Sequence, residues 1–154
     1  MNILKRYTFW FIAAVLFQFL NAIIHTISLF IPLSGDNETE TQMVTLVTTY
    51  KIDMGAGFHP TFFNLFTALS SCLTFLFLFA ALTNGYLLWK HTAPSVMKGI
   101  ITINLVVFVA LLLVVTYFTF LFPVVSVGLV VLNLVAAFIL LPKPGSAEES
   151  ELNF

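Results

Sequence analysis

The sequence predicts an all-α integral membrane protein: a bundle of four transmembrane helices with a short amphipathic helix in the first extracytoplasmic loop. Two observations carry this reading. Six Lys and Arg and seven Asp and Glu stand among 154 residues, against eighteen Phe, whereas about a quarter of a soluble globule is charged. Those charges are also confined to residues 1–6, 36–53, 90–98 and 143–154, leaving uncharged runs of 29, 36 and 44 residues at 7–35, 54–89 and 99–142. Soluble enzymes, nucleic-acid binders and disordered chains are excluded by that pattern.

A helix needs about 20 apolar residues to cross the hydrocarbon, so the first two runs hold one span each. The third is too long for one crossing, and Phe122-Pro123 interrupts it, since proline is favoured at a helix start and disfavoured inside. It therefore reads as a tight hairpin. The four spans are expected at about 7–31, 61–89, 99–121 and 124–141, in one membrane domain covering 1–142. Transmembrane β-strands would alternate in polarity, and these runs do not.

Orientation follows from the basic flanks. Lys5, Arg6, Lys90, Lys98 and Lys143 fall on one side and Lys51 on the other, so both termini are expected in the cytoplasm and the loop 32–60 outside. Trp10, Tyr86 and Trp89 mark the cytoplasmic interface, and Tyr50 and Tyr117 the outer one. Cleavage of the first span as a signal peptide is the minor alternative: the stretch is long, contains Gln18, Asn21 and His25, and lacks an A-x-A site. Cys72 is single, so no intramolecular disulfide forms.

Within the outer loop, Ser34-Gly35-Asp36-Asn37 reads as a turn. Met43, Val47, Tyr50 and Met54 then recur at i, i+4, i+7 and i+11, with Thr41, Thr45, Thr48 and Thr49 opposite. That is the spacing of an amphipathic helix at an interface; the competing β-segment rests on Thr and Val content. Asn37-Glu38-Thr39 has the form of a glycosylation sequon, which matters only in a eukaryotic secretory membrane. Gly55-Ala56-Gly57 reads as a flexible joint before Pro60. The tail 143–154 is polar, acidic and expected to be disordered.

Polar side chains inside a span mark packing faces or sites, because each needs a partner. In the first span Gln18, Asn21, His25 and Ser28 fall at i, i+3, i+7 and i+10, and in the second Asn64, Thr67, Ser71 and Thr74 repeat that spacing. The two stripes can face each other in the outer half of the bundle. Asn104, Ser126 and Asn133 continue the pattern weakly in the third and fourth spans. One interpretation is interhelical glue. The other is a ligand-binding pocket formed by Gln18, Asn21, His25, His59, Asn64, Thr67 and Ser71, with Lys51 and Asp53 at its mouth. His25 reads as a satisfied core histidine, a proton carrier or a metal ligand.

Absences narrow the activity. No Asp, Glu, Lys or Arg lies in a span, so a carboxylate-coupled transporter has no candidate residue. Disulfide chemistry lacks a second thiol. Membrane enzymes that use glutathione place Arg and Glu in their second helix, where this chain has His59 and Asn64. Neither a P-loop nor a dinucleotide, protease or hydrolase motif occurs. Haem ligation by His25 and His59 would pair residues at different depths. No cofactor or metal is expected.

The stretch from Thr48 to Gly57, Thr83-Asn-Gly-Tyr-Leu-Leu, and Lys98-Gly-Ile-Ile-Thr-Ile-Asn104 before a closing hairpin resemble a group of small four-helix membrane proteins of bacteria such as Bacteroidota and Leptospira. The resemblance implies a bacterial inner membrane and supplies neither an activity nor site residues. The reading that results is a non-enzymatic protein binding a membrane lipid, a small hydrophobic ligand or a membrane partner in the outer polar pocket. Two alternatives stay open: an enzyme on a lipid-soluble substrate with His25 or His59 as acid/base, and a structural subunit that oligomerises.

Overall fold

The structure is a computed structural model that describes residues 6–142. The acidic tail 143–154, and Lys5 and Lys143 of the charge count, lie outside those residues. Five helices follow in order: α1 (Tyr7–Ser28), α2 (Glu38–Thr49), α3 (Phe62–Trp89), α4 (Pro94–Phe118) and α5 (Leu121–Ile139). Four of them, α1, α3, α4 and α5, are long and apolar enough to cross a membrane. The chain is all-helical among the described residues.

The helix ends differ from the expected spans for local reasons. α4 begins five residues before the uncharged run, with Pro94 in its first turn. A lysine near a helix end can lay its stem along the helix and keep its ammonium in water, so Lys98 does not prevent helix there. α5 begins at Leu121, which puts Pro123 inside its first turn. The missing N–H is harmless at that position because first-turn amides have no intrahelical acceptor. Only Thr119 and Phe120 separate α4 from α5, and the Thr119 N–H and hydroxyl both donate to the Val115 carbonyl.

α3 ends where His91 takes a left-handed φ of 49°. The His91 N–H donates to the Leu88 carbonyl and the Thr92 N–H to Leu87, the two bonds of a Schellman termination. Glycine is the usual residue at that position.

The chain divides into two compact units, one of 1–21 with 77–154 and the other of 22–76. Unit 1 has an extensive buried core. Phe11, Ala14 and Gln18 of α1 are buried, as are Phe77, Ala80, Ala81 and Asn84 of α3. Met97, Ile101, Phe108 and Val115 of α4 and Val127, Val130, Leu134 and Ala137 of α5 complete it. Phe77 and Phe108 meet at 5.5 Å between ring centres. Lys98 near the start of α4 lies 5.9 Å over the Phe138 ring near the end of α5, as an antiparallel hairpin requires.

Unit 2 contributes one buried apolar residue, Ala22. It holds the end of α1, α2, a turn and the start of α3. α2 is capped by Asn37, whose side chain accepts from the Glu40 N–H at 2.9 Å, while Glu40 accepts from the Asn37 amide and the Asp36 N–H at 2.8 Å each. This is a variant of the reciprocal capping arrangement, with Asn as N-cap and the Glu40 carboxylate accepting from the Asn37 side chain and the Asp36 N–H in place of the N-cap N–H. Gly35 is required beneath it, since a Cβ there would collide with the Thr41 nitrogen and the Glu40 carbonyl carbon.

α2 stops at Thr49, so Tyr50 is its C-cap and Met54 lies beyond the helix. Its half-buried side is Val44, Val47 and Thr48, with Met43 and Leu46 exposed. Residues 51–61 close into a hairpin-like turn: Ile52 N–H donates to Pro60, Met54 to Phe58 and Phe58 to Gly55. Gly55 and Gly57 both take positive φ, which glycine adopts without a Cβ clash. The Gly55-Ala56-Gly57 segment thus sits in a hydrogen-bonded turn.

Burial is inverted relative to a soluble protein. Leu69, Phe79 and Leu113 are 69–75% exposed, while Gln18 is 0% and Asn84 1% exposed.

Candidate functional site

The seven residues expected to line a pocket divide into several local arrangements. Gln18 belongs to unit 1 and joins two residues outside the expected set. Its Nε2 donates to Asn104 Oδ1 at 3.2 Å, and its Oε1 accepts from Asn84 Nδ2 at 3.0 Å. Asn84 Nδ2 also donates to Asn104 Oδ1 at 2.8 Å, and Asn104 Nδ2 returns a bond to Asn84 Oδ1 at 3.2 Å. The remaining Asn104 proton goes to the Ile100 carbonyl at 2.9 Å. Three amides from α1, α3 and α4 therefore form a closed ring. Such contacts between apolar helices contribute about 0.5–2 kcal/mol each.

Asn84 is reachable because its surroundings are small. Ala80, Ala81 and Asn84 are buried on one face of α3, and a Cβ on the neighbouring Gly85 would lie 3.8 Å from Val15. Small residues let helix backbones approach until short amide side chains meet. The polar stripe of α3 did not identify Asn84, because twenty residues at 100° each carry it about 160° round the helix from Asn64. The available signal was an uncharged amide beside Gly85 and two alanines.

The other expected residues are engaged locally. Asn21 donates to the Phe17 carbonyl at 2.8 Å. Asn64 caps its own helix: its Oδ1 accepts from Thr61 N–H and hydroxyl at 3.0 and 2.8 Å, and its N–H donates to Thr61 Oγ1 at 3.2 Å. Ser71 donates to the Thr67 carbonyl at 2.7 Å. His59 lies on the 51–61 turn, its Nδ1 3.8 Å from Asp53, with both side chains more than half exposed.

His25 is the member of unit 2 that reaches another helix, through its Nε2, 3.0 Å from the Ser70 carbonyl oxygen. That contact has a neighbour of interest. Helical Ser and Thr hydroxyls commonly donate to the carbonyl four residues back, as Thr26, Thr45 and Ser71 do. For Thr74 that carbonyl is Ser70's, which His25 occupies. The Thr74 hydroxyl is buried without a hydrogen-bond partner.

A cavity of about 230 Å³ lies in unit 1, at the end carrying the α1 N-terminus and the α3–α4 connection. Tyr7 and Thr8 line it from α1, His91 and Thr92 from the connection, and Pro94 and Met97 from α4. Leu87 and Leu88 complete the wall. No residue of this cavity was singled out as a site by the sequence. Among the described residues, no group of three His, Cys, Asp or Glu stands close enough to hold a metal.

No family model matches the chain, and neither a curated protein nor a solved structure does.

Proposed function

We propose that the protein is a non-enzymatic, multi-pass protein of a bacterial inner membrane, with both termini in the cytoplasm, that acts by binding membrane lipid or a membrane partner. The observation carrying this reading is the destination of its intramembrane polar groups. Gln18, Asn84 and Asn104 satisfy one another, and Asn21 and Ser71 bond to carbonyls of their own helices. The amide ring holds three helices together, the local bonds satisfy the other groups within their own helices, and an apolar surface is left for lipid. In this arrangement α2 rests at the outer interface with Met43 and Leu46 toward the lipid headgroups.

Cysteine accessibility tests the topology. In a Cys72→Ala background, Lys51→Cys is expected to react with a membrane-impermeant maleimide added outside intact spheroplasts, and His91→Cys only after lysis. Labelling of His91→Cys from outside would reverse the orientation.

A second reading keeps the outer pocket around His25, Asn64 and Thr67. The buried, partnerless hydroxyl of Thr74 favours it, since a polar ligand or an ordered water would satisfy that group. Replacing His25, Asn21 and Asn64 together by Ala is expected to change the lipid that co-purifies. An unchanged profile would remove the pocket.

A further inference from the structure

We propose that the cavity between the start of α1 and the α3–α4 connection binds the phosphate headgroup of an anionic phospholipid. The proposal rests on the membrane topology proposed above and adds to it a ligand class and a site.

Charge is the first argument. Arg6, Lys90 and Lys98 are each the sequence neighbour of a residue lining the cavity, namely Tyr7, His91 and Met97. Lys90 Nζ lies 4.9 Å over the Trp89 ring and Lys98 Nζ over Phe138. Among the described residues neither ammonium stands in an ion pair with a carboxylate. The carboxylates of the described residues, Asp36, Glu38, Glu40 and Asp53, all belong to unit 2. The three cations flank the cavity without lining it, and clustered cations at the end of a transmembrane bundle attract anionic lipid headgroups.

The donors are the second argument. Among the described residues the hydroxyls of Tyr7 and Thr8 and the His91 ring make no hydrogen bond. α4 starts at Pro94, a lining residue, without a side-chain cap, so the positive end of its helix dipole lies at the cavity wall. His91 occupies a left-handed position where glycine is the default.

Size and depth are the third. Pockets for drug-sized ligands run from about 300 to 1,000 Å³; 230 Å³ accommodates a headgroup and leaves the acyl chains outside. Tyr86 and Trp89 are exposed at this end of unit 1, and such aromatic residues sit at headgroup level. A phosphate group could also come from a soluble phosphate ester. The open apolar surface beside the cavity favours the lipid.

Native mass spectrometry of the full chain in nanodiscs of equal phosphatidylglycerol and phosphatidylcholine tests the site. Phosphatidylglycerol is expected to be retained at least about tenfold over phosphatidylcholine, as two or three unpaired surface cations would produce, and excess inorganic phosphate should not displace it. The triple variant Arg6→Gln, Lys90→Gln, Lys98→Gln should lose that preference, and Lys51→Gln should keep it. Thr8→Leu, which fills the cavity without changing charge, and His91→Asn, which tolerates positive φ, should each weaken it. Equal retention of the two lipids, or a preference surviving both the triple variant and Thr8→Leu, overturns the site. Displacement by inorganic phosphate overturns the lipid as its ligand. Extraction of the protein from membranes by alkaline carbonate would instead overturn the topology on which the proposal rests.

Discussion

Unit 1 and unit 2 are made from the same apolar alphabet and both bond many polar groups within their own helices, as Asn21, Thr102 and Asn133 do in unit 1, but they differ in their long-range polar contacts. In unit 1, amides 20 to 86 residues apart bond to one another across three helices. In unit 2, hydroxyls and amides bond to groups three or four residues away, as in Thr26, Thr45, Asn64 and Ser71. His25 with Ser70 is the long-range polar contact there. Long-range amide bonds fix which helices are neighbours, whereas local bonds support one helix whatever lies beside it. The difference places tertiary specificity in unit 1 and leaves unit 2 held mainly by its caps and its closed turn.

Removing the centre of the amide ring should have the largest effect on unit 1. Asn84→Ala leaves Gln18 and Asn104 with unmatched polar atoms and opens space in a packed face, so a loss of about 2–4 kcal/mol is expected in a denaturant titration in bicelles. Converting all three ring members to Leu removes the stranded partners and should be less damaging than Asn84→Ala alone. A triple variant as unstable as the sum of three single losses would show that packing, and not hydrogen bonding, governs the face.

His25→Leu probes the corresponding contact in unit 2. About 1 kcal/mol should be lost with the interhelical bond, partly offset because the freed Ser70 carbonyl becomes available to Thr74. Combining it with Thr74→Val tests this: the double variant should be less stable than His25→Leu alone, whereas Thr74→Val by itself should be neutral or stabilising.

The sequence made the helices legible and the contacts between them only partly so. Charge-free runs locate four apolar helices because the energetics of span formation depend on composition summed over about 20 residues. The ends of α4 and α5 shifted because caps and first-turn prolines act residue by residue, and Lys98 within α4 breaks no rule of helix formation. Gln18 was singled out as polar and inward, and it is completely buried. Asn104 reads as continuing the pattern in the third span, and Asn84 was missed. A helical stripe is one face, and Asn84 stands about 160° from Asn64 on the same helix. Nothing in periodicity says which residue of another helix an amide will meet; that is decided by where Ala80, Ala81 and Gly85 permit close approach.

Smaller effects should sharpen the picture of unit 2. Asn37→Ala removes the cap of α2 and should destabilise that helix by about 1 kcal/mol, seen as faster amide exchange over 38–49 with the exchange of α4 and α5 unchanged. Gly57→Ala forces a Cβ into a positive-φ position and should destabilise the 51–61 turn by about 1–2 kcal/mol, again without effect on the amide ring.

A double-mutant cycle between Gln18 and Asn84, each replaced by Leu, measures whether the amide ring couples α1 to α3. If interhelical amide bonding specifies unit 1, the two losses are non-additive by about 0.5–2 kcal/mol. Additive losses, with no coupling between positions 66 residues apart in sequence, would contradict it.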